Sequence, residues 1–488
     1  MRYANAMLAL PTSGGGSGRD YIVELDMSLE SLEKELEDLF FKWVPSNSRV
    51  VVEGSTGTRD GSALRHFLYR TGVPYVWESR AHSQELAVYI DGVRINPPTP
   101  SRLYVALGII PAPIHVEKNY PYDLVVVGGG PAGLSAALSA SLVGFSTLVI
   151  EAQRPGGTAT TSINLIRNYL GFPGGLAGTR LAKLALEQMA ALNIDWQSSY
   201  AARALRKSSG GRYEIQVGSN SDDFVSAGTV LLACGQKPTR LTLGEEQHTE
   251  ERFLNRGVYY GAVPSDRLIE VDKDVVIVGG GDSAGQAALL FAKGGSKSIA
   301  IVAQNGLTMA KPLREEVRSQ VPDPIRVFTG VVTGFAGAEH LTTVRVAAKN
   351  LETDFISATS AYISIGGDPN TRWLEGSGVD LDNGYVKTDV HLGWGAHQQT
   401  VLPFETSLPG VFAAGDVRVN ASRRVGQAVG QGAAAVASME RYVRENPRVL
   451  VDPQSTARLL LDILDVVDTL DVAARQKLKQ WLIRRLVQ

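Results

Sequence analysis

An α/β architecture of two Rossmann-like dinucleotide-binding lobes, one inserted in the other, is predicted by three features of this 488-residue chain. The first is a duplication. The apolar run Val125-Val126-Val127 leads into Gly128-Gly129-Gly130-Pro131-Ala132-Gly133, and about 150 residues later Val276-Ile277-Val278 leads into Gly279-Gly280-Gly281-Asp282-Ser283-Ala284. In such a turn the first glycine makes the tight bend, the second lets backbone amides approach a pyrophosphate at a helix N-terminus, and the third small residue lets helix pack on strand. The second feature is a repeat within the repeat. Residues 230–241 (VLLACGQKPTRL) and 361–370 (AYISIGGDPN) each run from a strand into a Gly-x-x-Pro turn at equivalent distances after the glycine turns, as a chain leaving one lobe for the other would. The third is length, which exceeds one typical domain and predicts two or three.

In chain order, residues 1–25 read as a flexible start. Their apolar run at 6–10 is too short for a secretory core, and 13–18 (SGGGSG) is linker-like. Residues 26–120 form a small module. An acidic amphipathic helix at 28–43 is followed by strand 49–53, helix 62–71, strand 74–78, a hairpin within 85–95 turned at Asp91-Gly92, and helix 99–107. The first lobe is 121–241 with 369–446. After its glycine turn comes an Ala/Leu/Ser-rich helix at 134–143, then strand 147–150, closed by Glu151. A carboxylate about 20 residues past the turn accepts hydrogen bonds from an adenosine ribose. FAD has no 2′-phosphate to repel it, so this turn, with Gly128, Gly130, Pro131, Ala132, Gly133 and Glu151, is assigned to FAD. The inserted lobe is 242–368. Its matching strand, 298–302, ends in Ala303-Gln304-Asn305 with no carboxylate, which tolerates a 2′-phosphate. NADPH is favoured over NADH there, on Gly279, Gly281, Ser283 and Ala284, with Lys311 and Arg314 as the nearest cations. No arginine pair stands at the strand end, and a lapsed nicotinamide site stays open as an alternative. Residues 447–488 carry apolar stripes at helical spacing in 455–467 and 472–486.

Composition narrows the function classes. With 48 basic and 50 acidic residues the net charge is −2, so no field favours nucleic acid or an acidic membrane surface. No run of about 18 apolar residues predicts a membrane span. A cytoplasmic protein and a homodimer are expected. The seven histidines lack ligand spacing, so no metal site is expected. The single cysteine, Cys234, is expected to be a small buried apolar residue.

Residues 123–133, Gly156-Gly157-Thr158, Asn168-Tyr169, Ala233-Cys234-Gly235, 279–284 and 410–417 (GVFAAGDV) together resemble the low-molecular-weight thioredoxin reductases over about 121–446. The resemblance implies FAD, NAD(P)H, and lobes that rotate about hinges near Gly235 and Gly366. It adds Gly157, Thr158, Asn168, Ala233, Gly235, Gly415 and Asp416 to the FAD site, Asp416 facing the ribityl or pyrophosphate region. Gln427 and Ala428 would lie beside the flavin ring. One departure changes the expected chemistry. That family carries Cys-x-x-Cys ahead of the second glycine turn, and the matching positions here are Gly261 and Pro264. One cysteine cannot form an intramolecular disulfide, so a dithiol relay to thioredoxin is not expected, and no catalytic side chain is assigned. The β-α-β-β-β-α order of 49–107 is similar to a shortened thioredoxin or glutaredoxin fold without cysteines, expected to pack or dock. The chain therefore reads as an oxidoreductase passing electrons from NAD(P)H through FAD to an unidentified acceptor: a ferredoxin or flavodoxin, a quinone, dioxygen or a small metabolite. An FAD-dependent metabolite oxidase that uses no nicotinamide, and a non-catalytic flavin sensor or scaffold, are the alternatives.

Overall fold

The computed structural model describes residues 50–54, 75–79, 86–96 and, with short gaps, 121–446, together with isolated positions between 60 and 107. The helices expected at 28–43, 455–467 and 472–486 lie outside the described residues, as does Pro264.

The first lobe is built on a seven-stranded sheet in the order Asp195–Ser198, Thr147–Glu151, Pro121–Val127, Phe224–Leu232, Tyr213–Val217, Ala202–Lys207, with Val411–Ala413 pairing the end of Phe224–Leu232. The strands around the glycine turn are all parallel, and Tyr213–Val217 is antiparallel to both neighbours. Parallel strands are covered on both faces, which is why they read as unbroken apolar runs. One face packs under helices Pro131–Leu142, Gly178–Ala191 and Val425–Glu445, through Ala136, Val149, Met189, Phe412 and Met439. The other face packs Val125, Ile150, Ile215, Leu232 and Val386. The first helix starts at Pro131, three residues ahead of the apolar pattern, because proline is pre-set for a first helical position and its missing N–H costs nothing there.

The inserted lobe repeats the plan in the order Val258–Tyr260, Ser360–Ile363, Asp274–Val278, Ser298–Ala303, Arg326–Ala336, Thr343–Ala348, Thr353–Ser357, parallel as far as Arg326–Ala336 and antiparallel beyond. Chain enters and leaves this lobe side by side. Gln236–Pro238 and Gly367–Pro369 form an antiparallel two-stranded ribbon, closed at its ends by Thr239 N–H to Gly366 O (3.1 Å) and Asn370 N–H to Gly235 O (3.0 Å). A separate four-stranded sheet, Tyr75–Ser79, Val50–Gly54, Ala87–Ile90, Val93–Ile95, buries Val50, Val52, Val88 and Ile90 with Leu64, Leu68 and Leu103. Its hairpin turns at Asp91 (φ 50°) and Gly92 (φ 78°), the left-handed pair that a two-residue turn of this type needs.

Candidate dinucleotide sites

In the first turn, Gly128 lies at φ +113°, and a β-carbon there would stand 2.3 Å from the carbonyl oxygen of Ala233. Gly133 is equally closed, with 1.9 Å to Gly128 O. These two glycines are required by protein packing. Gly130 is different: it caps the N-terminus of Pro131–Leu142 with no side-chain hydrogen bond, and its β-carbon would find only Gly157 Cα, 4.0 Å away. Glu151, buried at the end of its strand, accepts the Gly129 N–H at 2.7 Å, which sets a carboxylate against the turn. The Trp196 ring lies beneath Gly129.

The other predicted residues of this lobe gather around that turn. Gly156 N–H donates to Gly129 O (2.7 Å), which brings Gly157 and Thr158, at the start of a short 3-10 turn, against Gly130. Ala233 N–H continues the ladder to Val127 O (2.8 Å), and Gly235, at φ +57°, opens the ribbon. Gly415 N–H donates to the side chain of Gln431 (2.8 Å), and a β-carbon at 415 would sit 2.9 Å from that of Ala132 and 3.8 Å from that of Ala428. Asp416 is half-buried. Burial pushes its carboxyl above the usual range, and the Arg423 guanidinium pulls it back. Gln427 takes the Ser422 N–H at 2.9 Å and borders a surface-open cavity of ≈ 650 Å³, lined also by Gln431, Phe404 and Arg418. Asn168 faces the start of helix Val425–Glu445, its carbonyl 3.8 Å from the β-carbon position of Gly426.

The second turn has the same anatomy. Gly279 lies at φ +132°, with 2.2 Å from its β-carbon position to Ser364 O, whereas a β-carbon at Gly281 would meet nothing within 4 Å. Gly281 caps Asp282–Lys293 without a side-chain bond, Ala284 is fully buried under the helix, and Ser283 is exposed. Asp282 accepts the Ala310 N–H at 2.8 Å, which docks the start of helix Lys311–Arg318 beside the turn. Lys311 thus comes close to the turn, but it is exposed and 3.9 Å from Glu315, while Arg314 stands one turn further along that helix. Asp282 also sets a carboxylate next to Gly281, which the sequence pattern alone did not weigh.

At the dithiol positions, Gly261 lies at φ +71° and donates its N–H to Ile363 O (2.9 Å). Cys234 is half-buried rather than fully buried, packed against the core face that holds Leu232 and Val411, and burial pushes its thiol up to about 12. Among the described residues no cluster of His, Cys, Asp or Glu could hold a metal ion, and no helix is long and apolar enough to cross a membrane.

Residues 122–432 match the family model for pyridine nucleotide-disulphide oxidoreductases. The chain belongs to this family. It is 27% identical over 330 residues to a 34.2 kDa protein in the rubredoxin operon of Clostridium pasteurianum, which spans 67% of this chain and 99% of that one. It is 30% identical over 327 residues to thioredoxin reductase of Mycolicibacterium smegmatis, covering 66% of this chain and 97% of that protein. Among solved structures, thioredoxin reductase of Lactococcus lactis in its FR conformation superposes with a TM-score of 0.57 at 25% identity, over 66% of this chain and 99% of that one. The T. acidophilum enzyme gives 0.56 at 28% identity, over 67% and 99%. Family membership makes the protein an oxidoreductase of the flavin type and implies FAD and NAD(P)H as its cofactors.

Proposed function

We propose that this oxidoreductase takes hydride from NAD(P)H at the inserted lobe and delivers electrons from FAD, held by the first lobe, to an acceptor other than thioredoxin. One observation carries the reading. At Gly130 and Gly281 nothing in the protein demands glycine, yet both sit at uncapped helix N-termini, where a pyrophosphate needs close approach. FAD would supply the two-electron chemistry. The chain's own part is to hold and present. The amides at the start of Pro131–Leu142 hold the pyrophosphate, Glu151 and Asp416 take hydroxyl donors, Thr158, Asn168, Gln427 and Ala428 bound the ring end, and Gly235 and Gly366 let the inserted lobe turn on its ribbon.

With one cysteine in the chain and Gly261 at a dithiol position, the acceptor must come to the flavin itself. A small electron-transfer protein is the acceptor we favour, in keeping with the rubredoxin-operon relative; a quinone, dioxygen or a metabolite are the others. NADPH is preferred over NADH because no carboxylate follows Ala303. The four-stranded N-terminal sheet would be a thioredoxin-like docking module. Asp282 beside Gly281 favours one rival, an oxidase that uses no nicotinamide. Anaerobic titration of the yellow protein with NADPH, then NADH, decides between them. The flavin band should bleach, with NADPH the better donor, and thioredoxin added with NADPH should give no turnover. A flavin still oxidised under excess of both nucleotides, or brisk thioredoxin reduction that survives Cys234→Ser, would overturn the reading.

A further inference from the structure

A single hydroxyl ties the interlobe ribbon to the turn that carries Asp416. Tyr385 OH accepts from Gln236 Nε2 (3.0 Å) in the outgoing ribbon strand and from Arg423 Nη2 (3.1 Å) in the flavin-side loop, and donates to Gly367 O (3.2 Å) in the returning strand. A tyrosine hydroxyl has one donor and two acceptor sites, and all three are used. Gln236 Nε2 also reaches Asp416 O at 3.5 Å, and Arg423 is the cation that offsets burial of the Asp416 carboxyl. The ring is held from both sides. Its short hairpin, Leu381–Asp382 with Tyr385–Val386, turns at Asn383 (φ 48°) and Gly384 (φ 82°). Gly384 O accepts the Thr371 hydroxyl at 2.5 Å, just past the ribbon, while Val386 O accepts Val419 N–H at 3.0 Å, just past Asp416.

We propose that Tyr385 is a positioning residue that couples the geometry of the interlobe ribbon to the Asp416–Arg423 turn, so that a dinucleotide held by that turn stiffens the ribbon and rotation of the inserted lobe is felt at the turn. The inference rests on the reading of the first lobe as the FAD site. The ribbon is the covalent path between the lobes, so its φ/ψ changes are what rotation consists of. A network saturated at one hydroxyl is a contiguous means of passing them on.

The test is hydrogen exchange on the full chain, with and without FAD, following the Thr239 and Asn370 amides that close the ribbon. In the wild type, FAD should slow both by about tenfold, the scale of one or two net hydrogen bonds. Tyr385→Phe keeps the ring and loses the three bonds. It should stay yellow, exchange normally elsewhere, and lose the FAD-dependent slowing. Gln236→Met should do the same, and the double variant should lose no more than either single one. A purely structural tyrosine would instead speed exchange with and without FAD alike. Yellow Tyr385→Phe with the slowing intact, or yellow wild type with no slowing, overturns the inference. Absorbance read first separates that from failure of the FAD reading itself, which colourless wild type in excess FAD would show.

Discussion

Cys234 and the turn glycines show how far single residues determine what this chain can do. Its only thiol is half-buried and pushed up to about 12 by burial, so the nucleophilic thiolate is scarce near neutral pH. Native protein should therefore stay unlabelled by iodoacetamide near pH 8 and take up one equivalent on unfolding, read by mass spectrometry; fast labelling of the folded chain would mean an activated thiol. Among the glycines, the sequence motif already gives the three positions of a turn different tasks. The structure separates them. Positions 128, 133 and 279 are filled by neighbouring carbonyls or the turn itself, while 130 and 281 are clear. What closes positions 128 and 279 is invisible in sequence because the oxygen of Ala233 and the oxygen of Ser364 belong to segments about 100 and 85 residues further along the chain. Arg423 and Tyr385 escaped the sequence reading for a similar reason: they are joined by a hydrogen bond across 38 residues, and the Asn383-Gly384 turn beside Tyr385 was not read from the sequence.

At the scale of elements, the apolar runs before each glycine turn and the Asp91-Gly92 hairpin were legible because strand burial and turn chemistry are local. The pairing of the two Gly-x-x-Pro segments into one ribbon was not, since its register joins residues about 130 apart. Nor was the carboxylate buried beneath the second sheet. Glu270, 1% exposed, accepts the hydroxyls of Ser360 (2.8 Å) and Tyr362 (3.0 Å), with Lys273 at 3.9 Å and buried Asp266 one helical turn away. Burial raises its carboxyl above the usual range despite those bonds. The folded chain then keeps this proton at pH values where the unfolded chain has released it. The stability so gained is full below the ordinary carboxyl range and is lost as pH rises through the folded value. Glu270→Gln keeps an acceptor and cannot ionise, so relative to wild type it should gain stability as pH rises above the ordinary carboxyl range, measured as the urea midpoint. A difference between the two that is constant with pH would show that Glu270 ionises as freely folded as unfolded.

For the whole molecule, two seven-stranded sheets of like plan are joined by one two-stranded ribbon, so on the proposed reading each lobe carries its own dinucleotide site. The topology was legible from the duplicated turns, whereas no residue pattern in the chain names the acceptor. Independence of the sites is open to a paired test. A β-carbon at 281 meets nothing within 4 Å and one at 130 meets only Gly157 Cα at 4.0 Å, so both valine variants should keep the wild-type fold, unlike Gly279→Val, whose β-carbon falls 2.2 Å from Ser364 O and which should be destabilised by several kcal/mol. Gly130→Val fills the approach to the first helix N-terminus and should emerge folded and colourless. Gly281→Val should emerge yellow, with flavin reduced normally by dithionite and at least about a hundredfold more slowly by NADPH or NADH, the loss expected when a pyrophosphate is pushed off its amides. Lys311→Ala, beside that turn but hindered by Glu315 and Asp282, should weaken NADPH more than NADH, by no more than about tenfold. If Gly281→Val instead reduces its flavin at the wild-type rate, hydride does not come from the second turn, and an enzyme oxidising a metabolite directly at the flavin takes the place of the nucleotide-driven one.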